Sequence, residues 1–268
     1  MRILGIVVLG LTACAKDLRP KSLKAFGDTV PAGVEAQGRA VLAAAAEAHG
    51  LDAWQRTTQI ELDVVDTWRV GLVRSMMTPL PDRVTELTYR FDVNSGFVGE
   101  GVLTGGKHQG DRFGVAGKPG PDSYIVSKGK RKQKGGLEAK IYAPSVQYFT
   151  EFPFRILDAE HVAYVDRVAW KGRPHDRVLA TWGGMKPHIS DDQYLLYVDA
   201  ESHTISAARY TIRVAGRPMA SAIVFDDLRE VDGMRLPFFQ QVGFFREDGV
   251  REFHRLEVQA IRTGQPST

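Results

Sequence analysis

A mainly β fold, built as a large antiparallel meander, sandwich or barrel, is what this sequence predicts, and three observations predict it. Apolar residues alternate with polar ones along Ile60-Glu61-Leu62-Asp63-Val64 and again over residues 86–93, the period of a half-buried strand. Similar runs recur down the chain at a spacing of roughly 8 to 12 residues, the rhythm of strands joined by short turns. Between two such runs stands Asp232-Gly233, a pair that readily takes the positive φ angles of a tight primed turn.

The chain opens on one basic residue, Arg2, followed by nine apolar or glycine residues and then by Thr12-Ala13-Cys14. A basic start, a short apolar core and small residues at its end describe a secretory signal, and nine residues are too few to span ~30 Å of hydrocarbon as a helix. Cys14 is the only cysteine, which excludes an intramolecular disulfide. Residues 1–13 resemble a bacterial lipoprotein signal. That resemblance implies cleavage before Cys14, a diacylated thiol on Cys14 and an amide-linked fatty acid such as palmitate. With Ala15 rather than Asp following the cysteine, it also implies an outer-membrane address facing the periplasm. Several acyl chains anchor far more stably than one, because each buried CH2 contributes ~0.8 kcal/mol. The alternative reading is an ordinary buried cysteine in an N-terminal strand.

Residues 14–30 carry charges, Pro20 and Gly27 but little apolar pattern, and read as a tether. Residues 31–49 form the clearest helix. Val34, Val41, Leu42, Ala45 and Ala48 fall on one face, Glu35 and Arg39 make an i,i+4 pair, and Gly50 stands where a C-terminal cap belongs. Four consecutive alanines, Ala43 to Ala46, make this helix thin enough to lie close against a sheet. After Trp54 the period changes from 3.6 to 2. Strands are expected over 60–64, 68–77, 86–93, 97–104, 107–115 and 123–128, and then over 161–170, 177–182, 193–198, 204–214, 220–231, 235–245 and 250–261. Asp199-Ala200-Glu201-Ser202-His203 supplies a longer hairpin loop. Around 144–157 the alternation fails, aromatic residues crowd and Pro153 intervenes, so a short helical or irregular excursion against the sheet is expected. No linker divides the β region, which makes 31–262 one domain and 263–268 a tail.

Composition narrows the function. Apolar residues at 43% and charged residues at 25% are ordinary for a globular chain. The net charge of +3 falls to +2 once residues 1–13 are removed. With no clustered basic footprint, a dedicated nucleic-acid role is not expected. The seven histidines are scattered without metal spacing, so no metal site is expected. Gly99-Glu100-Gly101 and Gly105-Gly106 fit neither the dinucleotide nor the phosphate-loop pattern and suit bends in a curved sheet. Ser127-Lys128-Gly129-Lys130 has the spacing of an acylating Ser-x-x-Lys pair but lacks its companion motifs. Neither an enzyme nor a cofactor is therefore expected. Lys128, Lys130, Arg131, Lys132 and Lys134, flanked by glycines, form a basic surface loop with two readings. It is a solvated hairpin, or it meets anionic head groups at ~1 kcal/mol per charge.

Longer stretches resemble a known family. Gln193-Tyr194-Leu195-Leu196-Tyr197-Val198-Asp199 followed by Thr204-Ile205, the aromatic run Tyr148-Phe149-Thr150-Glu151-Phe152-Pro153-Phe154, and Val231-Asp232-Gly233-Met234-Arg235-Leu236-Pro237 are similar to segments of the LolA/LolB-like outer-membrane lipoprotein carriers and receptors. The resemblance implies an open, strongly curved antiparallel sheet, a half-barrel of about ten or more strands, with helices across its concave face and a cavity suited to acyl chains. Val41, Leu42, Leu87, Tyr89, Phe91, Val242 and Phe244, on the apolar faces, are the expected lining; the competing reading is that they simply pack together. On this basis the chain is expected to be a lipid-anchored envelope protein binding a lipid or lipoprotein acyl chain. The alternative is a scaffold on the same fold with a filled interior that binds a protein.

Overall fold

Local alternation becomes thirteen antiparallel strands in the computed structural model, which describes residues 15–93, 96, 98–115, 124–133, 137–216 and 218–264. Six belong to the first half: β1 (Gln59–Trp68), β2 (Val84–Asp92), β3 (Gly99–Leu103), β4 (Arg112–Val115), β5 (Tyr124–Ser127) and β6 (Lys130–Gln133). Seven follow: β7 (His161–Trp170), β8 (Arg173–Thr181), β9 (Gln193–Asp199), β10 (Ile205–Thr211), β11 (Ala220–Val231), β12 (Met234–Arg246) and β13 (Gly249–Gly264). They form one sheet in the order β6-β5-β4-β3-β2-β1-β13-β12-β11-β10-β9-β8-β7. Each half is a meander, and the two are joined where β1 pairs with β13, from Gln59 opposite Gly264 to Trp68 opposite His254. The sheet is open, with β6 and β7 at its edges.

Six helices accompany the sheet: α1 (Lys21–Lys24), α2 (Ala32–Ala48), α3 (Leu51–Arg56), α4 (Gly71–Met77), α5 (Leu137–Thr150) and α6 (Phe152–Arg155). α2 packs close to β7 because Gly38 faces the strand; a Cβ there would come within 2.8 Å of the Tyr164 nitrogen. Leu42, Ala45 and Ala46 are the other buried positions of this helix. α5 is buried over most of its described length and holds Pro144 inside its span. Under α5, the β1–β4 half of the sheet contributes Leu62, Leu87, Tyr89, Phe91 and Phe113 to one core. Leu42, Phe149, Phe152, Val178, Leu196 and Ile223 belong to a second core under α2 and α6.

The Asp232-Gly233 turn forms as expected, with φ of 48° and 82° between β11 and β12. Several expectations need correction. The strand expected over 68–77 ends at Trp68, and α4 follows. Val73 and Met77, at i,i+4, pack against the core, while Leu72 and Met76 face out, a pattern that suits one helical turn after another. The expected strand over 107–115 is regular only in β4. Over its described residues the basic segment is a hairpin, one of its two expected readings, with more regular strand than a surface loop. Lys128 (φ 50°) and Gly129 (φ 73°) make a tight primed turn, and the residues after it are the edge strand β6. Lysines on an edge strand also oppose pairing with another chain. Residues 15–30, expected as a tether, pack on the convex face. Leu18 and Leu23 are buried against a cluster containing Trp170, Met185, Leu195 and Tyr197. Two apolar residues in a polar stretch gave no period to read. The sheet also runs on through Thr263 and Gly264, two positions expected in the tail. Cys14, Lys134 and residues 1–13 lie outside the described residues.

Candidate functional site

The concave face is not filled evenly. On the β1–β4 side α5 lies directly on the sheet, and Tyr89 donates its hydroxyl to the Ala143 carbonyl at 3.0 Å. On its other flank, α5 leaves a cleft over β9–β13. The more enclosed part has a volume of about 70 Å³ and is walled by Trp68, Val242, Phe253 and Leu256 from the sheet and by Ile141, Val146 and Phe149 from α5. It adjoins a wider part of about 370 Å³ bounded by Trp182, Tyr194, Ile212 and Val214. Ile141, Ser145, Phe149, Tyr210 and Ile212 border both. The first three recur every four residues, which presents one side of α5 to the space.

A polar cluster closes the narrow end. Asp66 is fully buried, and its Oδ2 accepts from the Tyr142 hydroxyl at 2.7 Å and from His254 Nε2 at 2.8 Å. Trp68 stacks on His254 with ring centroids 4.0 Å apart. Burial, with Asp66 beside it, holds the Tyr142 phenol well above its ordinary pKa, so Tyr142 remains the donor. Asp66 Oδ1 and Trp68 Nε1 are buried without a hydrogen-bond partner in the structure. Trp68 lines the cleft, while its indole nitrogen is covered. At the wide end the mouth is polar, with Ser190, Asp191 and Asp192. Burial raises Asp192 above the usual carboxylate range, against the opposing hydrogen bonds from Thr211 Oγ1 and the Arg213 amide.

Of the residues expected to line a cavity, Val242 does so. Leu87, Tyr89 and Phe91 are packed in the core instead, because α5 rests on their strand. Leu42 is buried among Phe149, Phe152 and Val162, with Val41 half-buried beside them. Phe244 is exposed and meets Phe253 edge to face at 5.4 Å, so it stands outside the cleft, beside one of its walls. Ile141 escaped sequence reasoning because its helix begins seven residues before the short helical or irregular excursion expected from 144, and Ser145 and Phe149, inside that excursion, had no period there to assign them a face. Ile223 and Leu256 carry the same alternating signal as Val242 and were legible to that extent. The described part of the basic segment, Lys128 to Lys132, lies on the edge hairpin and not in the cleft.

An open antiparallel half-barrel crossed by helices is a LolA-like fold, and solved structures bear this out. A domain described as an outer-membrane lipoprotein-sorting protein from Vibrio parahaemolyticus superposes with a TM-score of 0.56 at 8% identity, over 87% of this chain and 95% of that one. A DUF1329 family protein from Desulfovibrio piger gives 0.54 at 11% identity, over 86% and 95%. A LolA superfamily protein from Nitrosomonas europaea gives 0.50 at 12% identity, over 86% and 94%. No family model and no curated protein matches the chain at the level of sequence. None of the described helices is long and apolar enough to cross a membrane, and the described residues contain no group of three or more His, Cys, Asp or Glu able to hold a metal ion.

Proposed function

We propose that this chain is a lipid-anchored protein of the bacterial envelope that acts by binding, holding one acyl chain of a lipid or lipoprotein in the cleft between α5 and β9–β13. The observation that carries this reading is the cleft itself: a narrow end walled by Trp68, Val242, Phe253 and Leu256, continuous with a wider and more polar end. About 10–15 Å³ of such space holds one water-sized group, so the narrow end takes a short run of methylenes, each contributing about 0.8 kcal/mol on burial. The wide end takes the remainder of the tail and leaves the head group at Asp191 and Asp192. Cys14 would be the acylated residue, and the outer membrane the address.

Native mass spectrometry after mild extraction tests the reading. A protein carrying one acyl-bearing adduct supports it, and bare protein from every extraction contradicts it. The close packing of Leu87, Tyr89 and Phe91 under α5 favours the second reading, a protein-binding scaffold, and bare protein is the result that reading predicts.

A further inference from the structure

In an up-and-down sheet the connections alternate between two rims. One rim here carries the β1–β2, β3–β4, β5–β6, β8–β9, β10–β11 and β12–β13 connections. The six large apolar side chains that are more than half exposed among the described residues all stand on it. Leu72 and Met76 lie on α4 and Val84 opens β2. Ile189 and Val214 lie on the β8–β9 and β10–β11 connections, and Phe244 stands two residues before β12 ends. Apart from Val84, each sits on an element that also contributes to the cleft: Met77, Ser190, Ile212 and Val242 are lining neighbours of these residues. The opposite rim, by contrast, carries Glu201 and Asp232 on its connections.

The chain also emerges at the apolar rim. Arg213 Nη2 donates to the Lys16 carbonyl at 2.6 Å, and the Leu18 amide donates to Gln193 Oε1 at 2.9 Å; Arg213 and Gln193 both flank connections of that rim. Two residues span about 7 Å at most, so an acyl group on Cys14 would keep this rim against the surface that holds it. The Lys128-Gly129 turn belongs to the same rim. Acidic Asp82, Glu247 and Asp248 and basic Arg74, Arg83, Lys107 and Lys186 stand on the same rim, so charges of both signs surround the apolar side chains.

We infer that this rim docks on the lipid bilayer, with Leu72, Met76, Val214 and Phe244 in the interface and the mouth of the cleft opening onto the membrane. The inference rests on the acyl-chain reading of the cleft, because it supplies the route by which a tail enters without crossing water.

Because Cys14 is the only cysteine, single thiols can be introduced cleanly. The full-length lipidated protein, carrying Leu72→Cys, Val214→Cys or Glu201→Cys, would be reconstituted in vesicles of phosphatidylethanolamine and phosphatidylglycerol and treated with a membrane-impermeant maleimide. The Leu72→Cys and Val214→Cys thiols should react about tenfold more slowly than the Glu201→Cys thiol, as groups buried in the interface do, and equally fast after detergent solubilisation. Equal rates on vesicles overturn the docking face. Protection that survives solubilisation also overturns it, since protein then covers the rim. Protein that fails to float with the vesicles removes the anchor and the docking face together. A lipid adduct in the mass spectrum alongside freely reacting rim thiols would leave the cleft reading intact and sink only this one.

Discussion

His49 ties two distant backbone segments together. Its Nδ1 lies 2.7 Å from the Arg235 carbonyl, and its Nε2 accepts the Ile205 amide at 3.0 Å, so the ring is held neutral with its proton on Nδ1. Burial pushes its pKa below the usual value. The unfolded chain therefore takes up the proton before the folded protein does. The stabilisation is complete above about pH 6.5 and is lost as pH falls through the folded value. Urea midpoints should drop between pH 7.5 and 5, and His49→Gln should flatten that part of the slope; a wild-type profile that is level across this window would rule the assignment out. At the narrow end of the cleft, Tyr142→Phe leaves buried Asp66 one donor short and should cost about 1–3 kcal/mol, read as a lower midpoint with an unchanged fold. Neither role was legible in the sequence. Alternation correctly placed Leu87, Tyr89 and Phe91 on an inward face, but a period of two gives the face and not what lies opposite it.

Elements bounded by turn chemistry were the legible ones. β7 and β11 occupy the residues expected, 161–170 and 220–231, because each ends on a glycine-containing turn, Lys171-Gly172 and Asp232-Gly233. α4 and β6 were misread, since Leu72, Val73, Met76 and Met77 satisfy helical spacing within a stretch short enough to pass for a strand, and four polar residues at an edge show no alternation at all. α2 was legible as a helix, yet the reason it lies where it does is Gly38. A Cβ at that position would meet the backbone of Tyr164 at 2.8 Å and of Ala163 at 3.0 Å, and backbone atoms of a paired strand do not yield. Gly38→Val should therefore lift α2 from β7 and cost about 1–3 kcal/mol, seen as a lowered thermal midpoint; a midpoint unchanged from wild type would mean that the helix is not seated as described.

At the scale of the whole molecule, the half-barrel was legible through its alternation, its turns and its family resemblance. The seam that unites it was not. β1 pairs with β13 across some two hundred residues, and such a contact leaves no local signature. The cleft is a product of that seam, because Trp68 and Leu256 reach its narrow end from either side of it while Val242 comes from the next strand. Its capacity for hydrocarbon is the central claim, and titration with a fluorescent polyene fatty acid tests it most directly. The account predicts saturable binding at one site per chain, weakened about tenfold or more by Val242→Trp, which fills the narrow end with aromatic volume, while the circular dichroism spectrum stays that of the wild type. Binding of equal strength to both proteins, or to neither, would contradict it.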